Sequence, residues 1–314
     1  MLEWSSPEPA PARGRTNRTN RTEPNKPSQA ERRNREGPEG SGARTEAAAA
    51  LLDAEGLTYA YGEYRAVDGA SFAIRPGELV ALVGRNGAGK STLLECLAGW
   101  RRPERGRVRL LGTPVGEEEV RHRSAVLLVP DTPPFYEQLT AWEHLAFVAQ
   151  LRRRPAAEWQ PEAERLLRRF TLWEQRNGYP YAFSRGMRTK LAVAVALVAR
   201  PQVLLLDEPF GPLDPISAAD LWQELTAFAT GGAEREPDRE PEQEHRAGGG
   251  RTAVLLSSHR LPPEVEPDRI LVLEQGRLLA EGSPATLRAR YGLDSGDSDA
   301  ILRAALLAAR REGR

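Results

Sequence analysis

Residues 79–99 read LVALVGRNGAGKSTLLECLAG, and this stretch restricts the possible folds more than any other. The apolar run Leu79–Val83 leads directly into Gly84-x-x-x-x-Gly89-Lys90-Ser91, and a helix-like segment, Ser91–Ala98, follows. A strand that opens through glycines onto a helix suits anion binding. The glycines let consecutive backbone N–H groups face one anion, and the helix adds the positive end of its dipole. Lys90 would reach the β- and γ-phosphates of a nucleotide, and the Ser91 hydroxyl would ligate Mg²⁺. The plain alternative is a Gly-rich turn with no ligand. Only three lysines occur, Lys26, Lys90 and Lys190, and one stands where a compact ammonium must meet a phosphate. Gly84, Asn86, Gly87, Gly89, Lys90, Ser91 and Thr92 are the resulting candidates for nucleotide contact.

A strand and a helix around a phosphate-binding turn imply further alternating units. Short apolar runs recur at Val126–Val129, Val203–Leu206, Ala253–Leu256 and Ile270–Leu273, the composition of strands buried on both faces. Helical patterns lie at Ala141–Leu151, Pro161–Phe170, Met187–Ala199 and Ile216–Phe228. The fold class is therefore α/β with a mostly parallel sheet, and ligands are expected at the carboxyl ends of its strands. No strand pattern is visible from Thr132 to Ala199, which predicts a helical subdomain over about 132–199.

The second chemical signal is VLLLDEPFGPLD, residues 203–214. Its strand ends in Asp207, a carboxylate able to hold magnesium, and Glu208 follows, suited to orient or deprotonate an attacking water. Alone, such an acidic pair is as readily a turn or a helix cap. Beside a phosphate loop it gains a role.

Composition removes other classes. Lysine plus arginine and aspartate plus glutamate both number 44, so no basic excess points to nucleic acid. The longest apolar run, Leu191–Ala199, is too short to span a bilayer, so membrane work requires a partner. The opening MLEWSSPEPAP lacks the apolar core of a signal peptide, and Cys96 is the one cysteine, so a cytosolic setting is expected. Cys96 reads as a packed thiol. Residues 1–48 are poor in large apolar groups and are expected to be a disordered tail, and 231–250, GGAEREPDREPEQEHRAGGG, a disordered surface insert. The main domain is assigned to 49–285 and a helical tail to 286–314, where ILRAALLAARR has the pattern of an amphipathic helix packed on its own domain or dimer.

Together GRNGAGKST, LLLDEP, GPLD and LLSSH (255–259) resemble the ATP-binding subunit of ABC transporters over about residues 54–285. The resemblance implies a P-loop NTPase with a RecA-like core, an antiparallel β subdomain and an inserted α-helical subdomain. It implies ATP and Mg²⁺ as ligands. It also implies a head-to-tail homodimer or heterodimer of ATP-binding subunits, and a separate transmembrane permease that holds the subunit at the inner face of the membrane. By position, Tyr61 matches the aromatic that stacks on adenine, with Tyr59 as its neighbour; Asp214 matches the residue that meets the opposite subunit, and His259 the histidine that senses the γ-phosphate. Glu208, His259 and Lys90 are the catalytic candidates; Ser91, Asp131 and Asp207 are the metal candidates.

Two positions depart from the family pattern. Asp131 stands where the family carries a Gln that ligates magnesium and links the site to the membrane partner; Gln138 lies further on, after FYE. The signature LSGGQ is replaced by FSRGM, residues 183–187. Ser184 and Gly186 remain to face the partner's ATP, while Arg185 and Met187 replace a glycine and a glutamine. Transport, in the manner of export systems with separate permeases, is the leading function. The alternatives are a soluble ABC ATPase acting on DNA or ribosomes and a weakly hydrolysing regulatory subunit.

Overall fold

The computed structural model describes residues 50–115, 119–231, 251–294 and 297–312, all within one unit, Ala48–Arg314. The expectations for the tail over 1–48 and for the insert after Gly231 lie outside the described residues. The first half of the domain runs β1 (Leu52–Tyr61), β2 (Tyr64–Ile74), β3 (Leu79–Val83), α1 (Lys90–Leu97), β4 (Arg105–Leu110), β5 (Thr113–Pro114), α2 (Glu119–Ala125) and β6 (Val126–Val129). Then follow α3 (Ala141–Leu151), α4 (Ala156–Arg169), α5 (Arg185–Val198), β7 (Val203–Leu206), α6 (Pro215–Thr230), β8 (Ala253–Ser258), β9 (Arg269–Glu274), β10 (Arg277–Gly282), α7 (Pro284–Tyr291) and α8 (Ser298–Glu312).

Six strands form one sheet in the order β10-β9-β3-β8-β7-β6, parallel except for the hairpin partner β10 at its edge. β3, β7 and β8 are buried along their whole length, which is why they read as unbroken apolar runs. Side chains alternate between the two faces of a strand. Leu204, Leu206, Val254 and Leu256 accordingly enter a core shared with α3 to α6. Their neighbours Val203, Leu205, Ala253 and Leu255 enter a second core with α1 and the strands β1, β2 and β4. Those strands belong to a separate antiparallel sheet, β2-β1-β4-β5, which carries Tyr59 and Tyr61 alongside the phosphate loop.

Between β6 and β7 there are only helices and turns. α3 opens on a reciprocal cap: the Thr140 side chain accepts from the Glu143 N–H, and the Glu143 carboxylate accepts from the Thr140 N–H. α4 corrects the expected start at Pro161. The helix begins at Ala156, with Pro161 in its interior, because Trp159 is buried and packs on Trp142 at 5.3 Å between ring centroids. A proline in a helix interior removes one backbone hydrogen bond, and here aromatic packing outweighs that loss. Where α4 passes the end of α5, Arg154 pairs with Glu162 at 2.6 Å and donates to the Val198 carbonyl oxygen, with both charged side chains almost buried.

α8 packs on its own domain through Ile301, Leu302 and Ala305, one of the two placements its pattern allows. Cys96 is buried in α1, and burial pushes its pKa up to about 12, as expected of an inert packed thiol.

Candidate nucleotide-binding site

β3, β8, β7 and β6 lie side by side and run the same way, so the segments leaving their carboxyl ends meet along one sheet edge. From β3 comes the loop 84–89, from β8 His259, from β7 Asp207 and Glu208, and from β6 Asp131. Gly89 enters α1 at φ +103°, and a Cβ there would lie 2.0 Å from the Ala66 carbonyl oxygen, so no larger residue fits. No side chain caps α1, and its first turn carries no acid. Its leading N–H groups and the positive end of its dipole are therefore turned to the loop.

Lys90 is 6% exposed, and its Nζ donates to the carbonyl oxygens of Gly84 at 2.8 Å and Arg85 at 3.3 Å. The same Nζ pairs with Glu208 Oε1 at 3.1 Å. Glu208 Oε2 accepts from the His259 N–H at 3.2 Å and lies 3.0 Å from His259 Nδ1. Glu208 has φ +49°, a left-handed conformation that a non-glycine residue keeps only where its surroundings hold it. Here the holder is Ser257: its Oγ accepts from the Glu208 N–H at 3.0 Å and donates to Asp207 Oδ1 at 2.6 Å.

The two acids are tuned in opposite directions. Burial raises the Asp207 carboxyl, against hydrogen bonds from Ser257 and Ser91, and the charges of Glu208 and Asp131 push it further above the ordinary range. Burial also acts upward on Glu208, but the Lys90 ammonium and the His259 donors outweigh it and leave this carboxyl below its ordinary value.

Tyr61 stands at the rim of the loop, 44% exposed, its hydroxyl 3.4 Å from Thr92 Oγ1. Tyr59 meets it edge-on at 5.1 Å, and the Arg101 guanidinium lies over both rings, at 5.5 Å from Tyr59 and 5.0 Å from Tyr61. Tyr64 donates to the Gly87 carbonyl oxygen at 3.0 Å and so ties the antiparallel sheet to the loop.

The remaining predicted residues form a second group. Ser184 caps α5, its side chain accepting from the Met187 N–H at 3.2 Å, and Ser184 and Arg185 are exposed. A Cβ on Gly186 would lie 3.0 Å from the Pro212 carbonyl oxygen, so glycine lets α5 approach the loop that leads to Asp214. Asp214 caps α6, accepting from the Ser217 N–H at 2.9 Å and the Ser217 hydroxyl at 2.6 Å. Among the described residues, no hydrogen bond or ion pair joins Ser184 or Asp214 to Lys90, Ser91, Asp207 or Glu208. The Ser184 and Asp214 group is thus bonded separately from the phosphate-loop group. Asp131 is engaged elsewhere than at the phosphate loop: both of its carboxylate oxygens accept from one nitrogen of Arg185, at 2.6 and 2.8 Å.

Residues 67–211 match the ABC transporter family. The ABC-type transporter ATP-binding protein EcsA of Bacillus subtilis (strain 168) is 30% identical over 77% of this chain and 91% of its own length. This chain belongs to the ABC transporter ATP-binding proteins. The daunorubicin resistance ATP-binding protein DrrA3 of Streptomyces coeruleorubidus is 30% identical to this ABC subunit, over 81% of the subunit and 74% of the relative. A solved structure described as the ATP-binding subunit of an ABC transporter matches it with a TM-score of 0.69 at 30% identity, covering 82% of the subunit and 99% of that chain. Relatives named for export and for import both occur. The fold is that of a P-loop NTPase.

Magnesium, usual for such ATPases, can be tested against the residues present. Ser91 opens α1 beside the end of β7, near enough for its hydroxyl to restrain the rise of the Asp207 carboxyl, which places two hard oxygen donors together where phosphate oxygens would complete the shell. They fit the ion. Sequence reasoning on this ABC subunit did not single out Ser257, Tyr64 or Arg101. Ser257 stood within LLSSH beside the histidine, the one available signal; Tyr64 and Arg101 reach the site only through the antiparallel sheet and the end of α1.

Proposed function

We propose that this ABC subunit hydrolyses ATP as one half of a head-to-tail dimer and that the closing and opening of the dimer drives a separate membrane permease, in the direction of export. The observation that carries the proposal is the Lys90–Glu208–His259 cluster beside the Ser91–Asp207 oxygen pair. Lys90, Gly84, Gly87, Gly89 and the first N–H groups of α1 bind the phosphates, with Asn86 and Thr92 on the same segment, and Tyr61 offers its exposed ring to the base. Magnesium, held by Ser91 and Asp207, would neutralise charge developing on the phosphates. An arriving γ-phosphate competes with Glu208 for the Lys90 ammonium. Glu208, freed from Lys90 and still oriented by His259 and Ser257, then aligns the attacking water and draws on its proton. His259 lies where it can sense the γ-phosphate and donate to it.

The second half-site supports the dimer. Ser184, Gly186 and Asp214 sit on the α5 and α6 ends, away from this chain's own phosphate loop, with Ser184 open to another molecule. No helix among the described residues is long and apolar enough to cross a membrane; the permease is inferred from the likeness to ABC transporter ATP-binding proteins, and through it the subunit would lie at the cytoplasmic face. Export is supported by the likeness to the Nod factor export ATP-binding protein I of Ralstonia nicotianae, 33% identical over 76% of this chain.

Glu208→Gln tests the reading. With ATP and Mg²⁺ the variant should lose about 10²-fold or more of the turnover and accumulate as an ATP-bound dimer in size-exclusion chromatography. A variant that stays monomeric under those conditions rules out the ATP sandwich.

A further inference from the structure

The two places where the sequence departs from its family touch each other. Asp131 leaves the carboxyl end of β6, in the parallel sheet; Arg185 opens α5, in the helical subdomain, 54 residues later. One guanidinium nitrogen of Arg185 donates to both Asp131 oxygens, at 2.6 and 2.8 Å, and the side chains are 59% and 40% exposed. β6 is itself locked to the magnesium strand, since the Asp207 N–H donates to the Val129 carbonyl oxygen at 2.9 Å. On the other side of the same helical turn, Gly186 lies against the Pro212 carbonyl oxygen. The first turn of α5 thus meets the Pro212 segment through Gly186 and the shared core through Met187, and the ion pair adds a charged link to the residue that follows β6.

We infer that Arg185 and Asp131 act together as a clasp, with Arg185 a positioning residue that fixes the Ser184 end of α5 against the sheet edge and occupies the carboxylate of Asp131. The inference rests on the proposed two-chain site for its consequence, though not for its existence. A carboxylate at 131 adds a negative charge that acts on Asp207, on the side of the site where the proposed phosphate would enter. A cation drawn from the signature stretch offsets it. Each departure taken alone would weaken the site: an unpaired Asp131 repels phosphate, and an unpaired Arg185 leaves the first turn of α5 without its charged link to the end of β6. Held together, they supply a link between sheet and helical subdomain that a neutral glutamine and a glycine would not make. The link is exposed, so its strength should fall with ionic strength.

The experiment begins with the nucleotide-free chain, so that it does not depend on hydrolysis. Arg185→Ala and Asp131→Ala should each speed amide hydrogen exchange in the first turn of α5 by about two- to fivefold, the range expected for a partly exposed ion pair. The double variant should be no faster than either single one, and the exchanged pair Asp131→Arg with Arg185→Asp should return towards the parent rate. Raised salt should reproduce the effect in the parent and not in the variants. In turnover assays the single variants should lower kcat about two- to fivefold, Arg185→Ala should in addition weaken nucleotide binding through the unpaired Asp131 carboxylate, and the exchanged pair should regain both. Additive effects of the two single substitutions on exchange, or an exchanged pair no better than either alone, would overturn the clasp. Exchange coupling without any change in kcat would overturn the positioning role. A parent chain that binds ATP without hydrolysing it would overturn the proposed function and leave the exchange result standing.

Discussion

At the residue scale the site is a competition for one lysine. Lys90 is almost buried and meets Glu208 at 3.1 Å. Removing a single partner from such a pair leaves an uncompensated charge, so each depends on the other, and on the proposed reading phosphate would take the place of Glu208. The pair also sets a pH dependence. The Glu208 carboxyl lies below its ordinary value of 4.5 in the folded chain. Its stabilising contribution is therefore fully present above that value and is lost as pH falls through the lower folded value. Thermal melts of the nucleotide-free chain between about pH 3 and 7 should show stability falling at the acid end, and Glu208→Gln should flatten that fall while lowering stability near neutrality. An unchanged acid limb in the variant would remove Glu208 from the account. Asp207 works against stability in the same range: its raised carboxyl favours the protonated form in the fold, so ionising it at neutral pH carries a cost.

The elements place these side chains by simple rules with one exception. Strand neighbours in the order β3-β8-β7-β6 bring four loop segments together, and capping sets where the helices begin: Thr140 for α3, Ser184 for α5, Asp214 for α6. α4 is the exception, since it runs through Pro161 from a start at Ala156. Its first turns are held by Trp159, which is 5% exposed and packs on Trp142. Trp159→Ala should destabilise the domain by about 3–5 kcal/mol, the range for removing a buried aromatic. Denaturant unfolding followed by circular dichroism measures it, and a loss below about 1 kcal/mol would mean that α4 does not need the tryptophan.

For the whole molecule the decisive feature is the separation of the phosphate-loop group from the Ser184 and Asp214 group. On the proposed reading, a chain that carries both groups but bonds neither to the other would work as a pair. Ser184→Arg places a bulky cation at the exposed α5 N-terminus, next to Arg185. It should abolish turnover, by about 10²-fold or more if the stretch supplies donors to a phosphate. Binding of a fluorescent ATP analogue by the phosphate loop should be unchanged. Turnover that persists would make residues 183–187 only the start of a helix.

Much of this was written in the chain itself. The spacing from Gly84 to Ser91, the apolar strand before Asp207 and the alternation of strand and helix patterns depend on local sequence, because phosphate binding at a strand-to-helix turn needs residues that are close in the chain. What depends on residues far apart could not be read that way. Ser257 reaches Asp207 and Glu208 across fifty residues because β8 pairs with β7. Arg101 comes to lie over Tyr59 and Tyr61 only where the end of α1 meets the antiparallel sheet. Asp131 and Arg185 looked in the sequence like two unrelated departures. Only the placement of α5 against the end of β6 brings their charges within 2.6 Å, because an ion pair is chosen by distance in space and no local pattern records it.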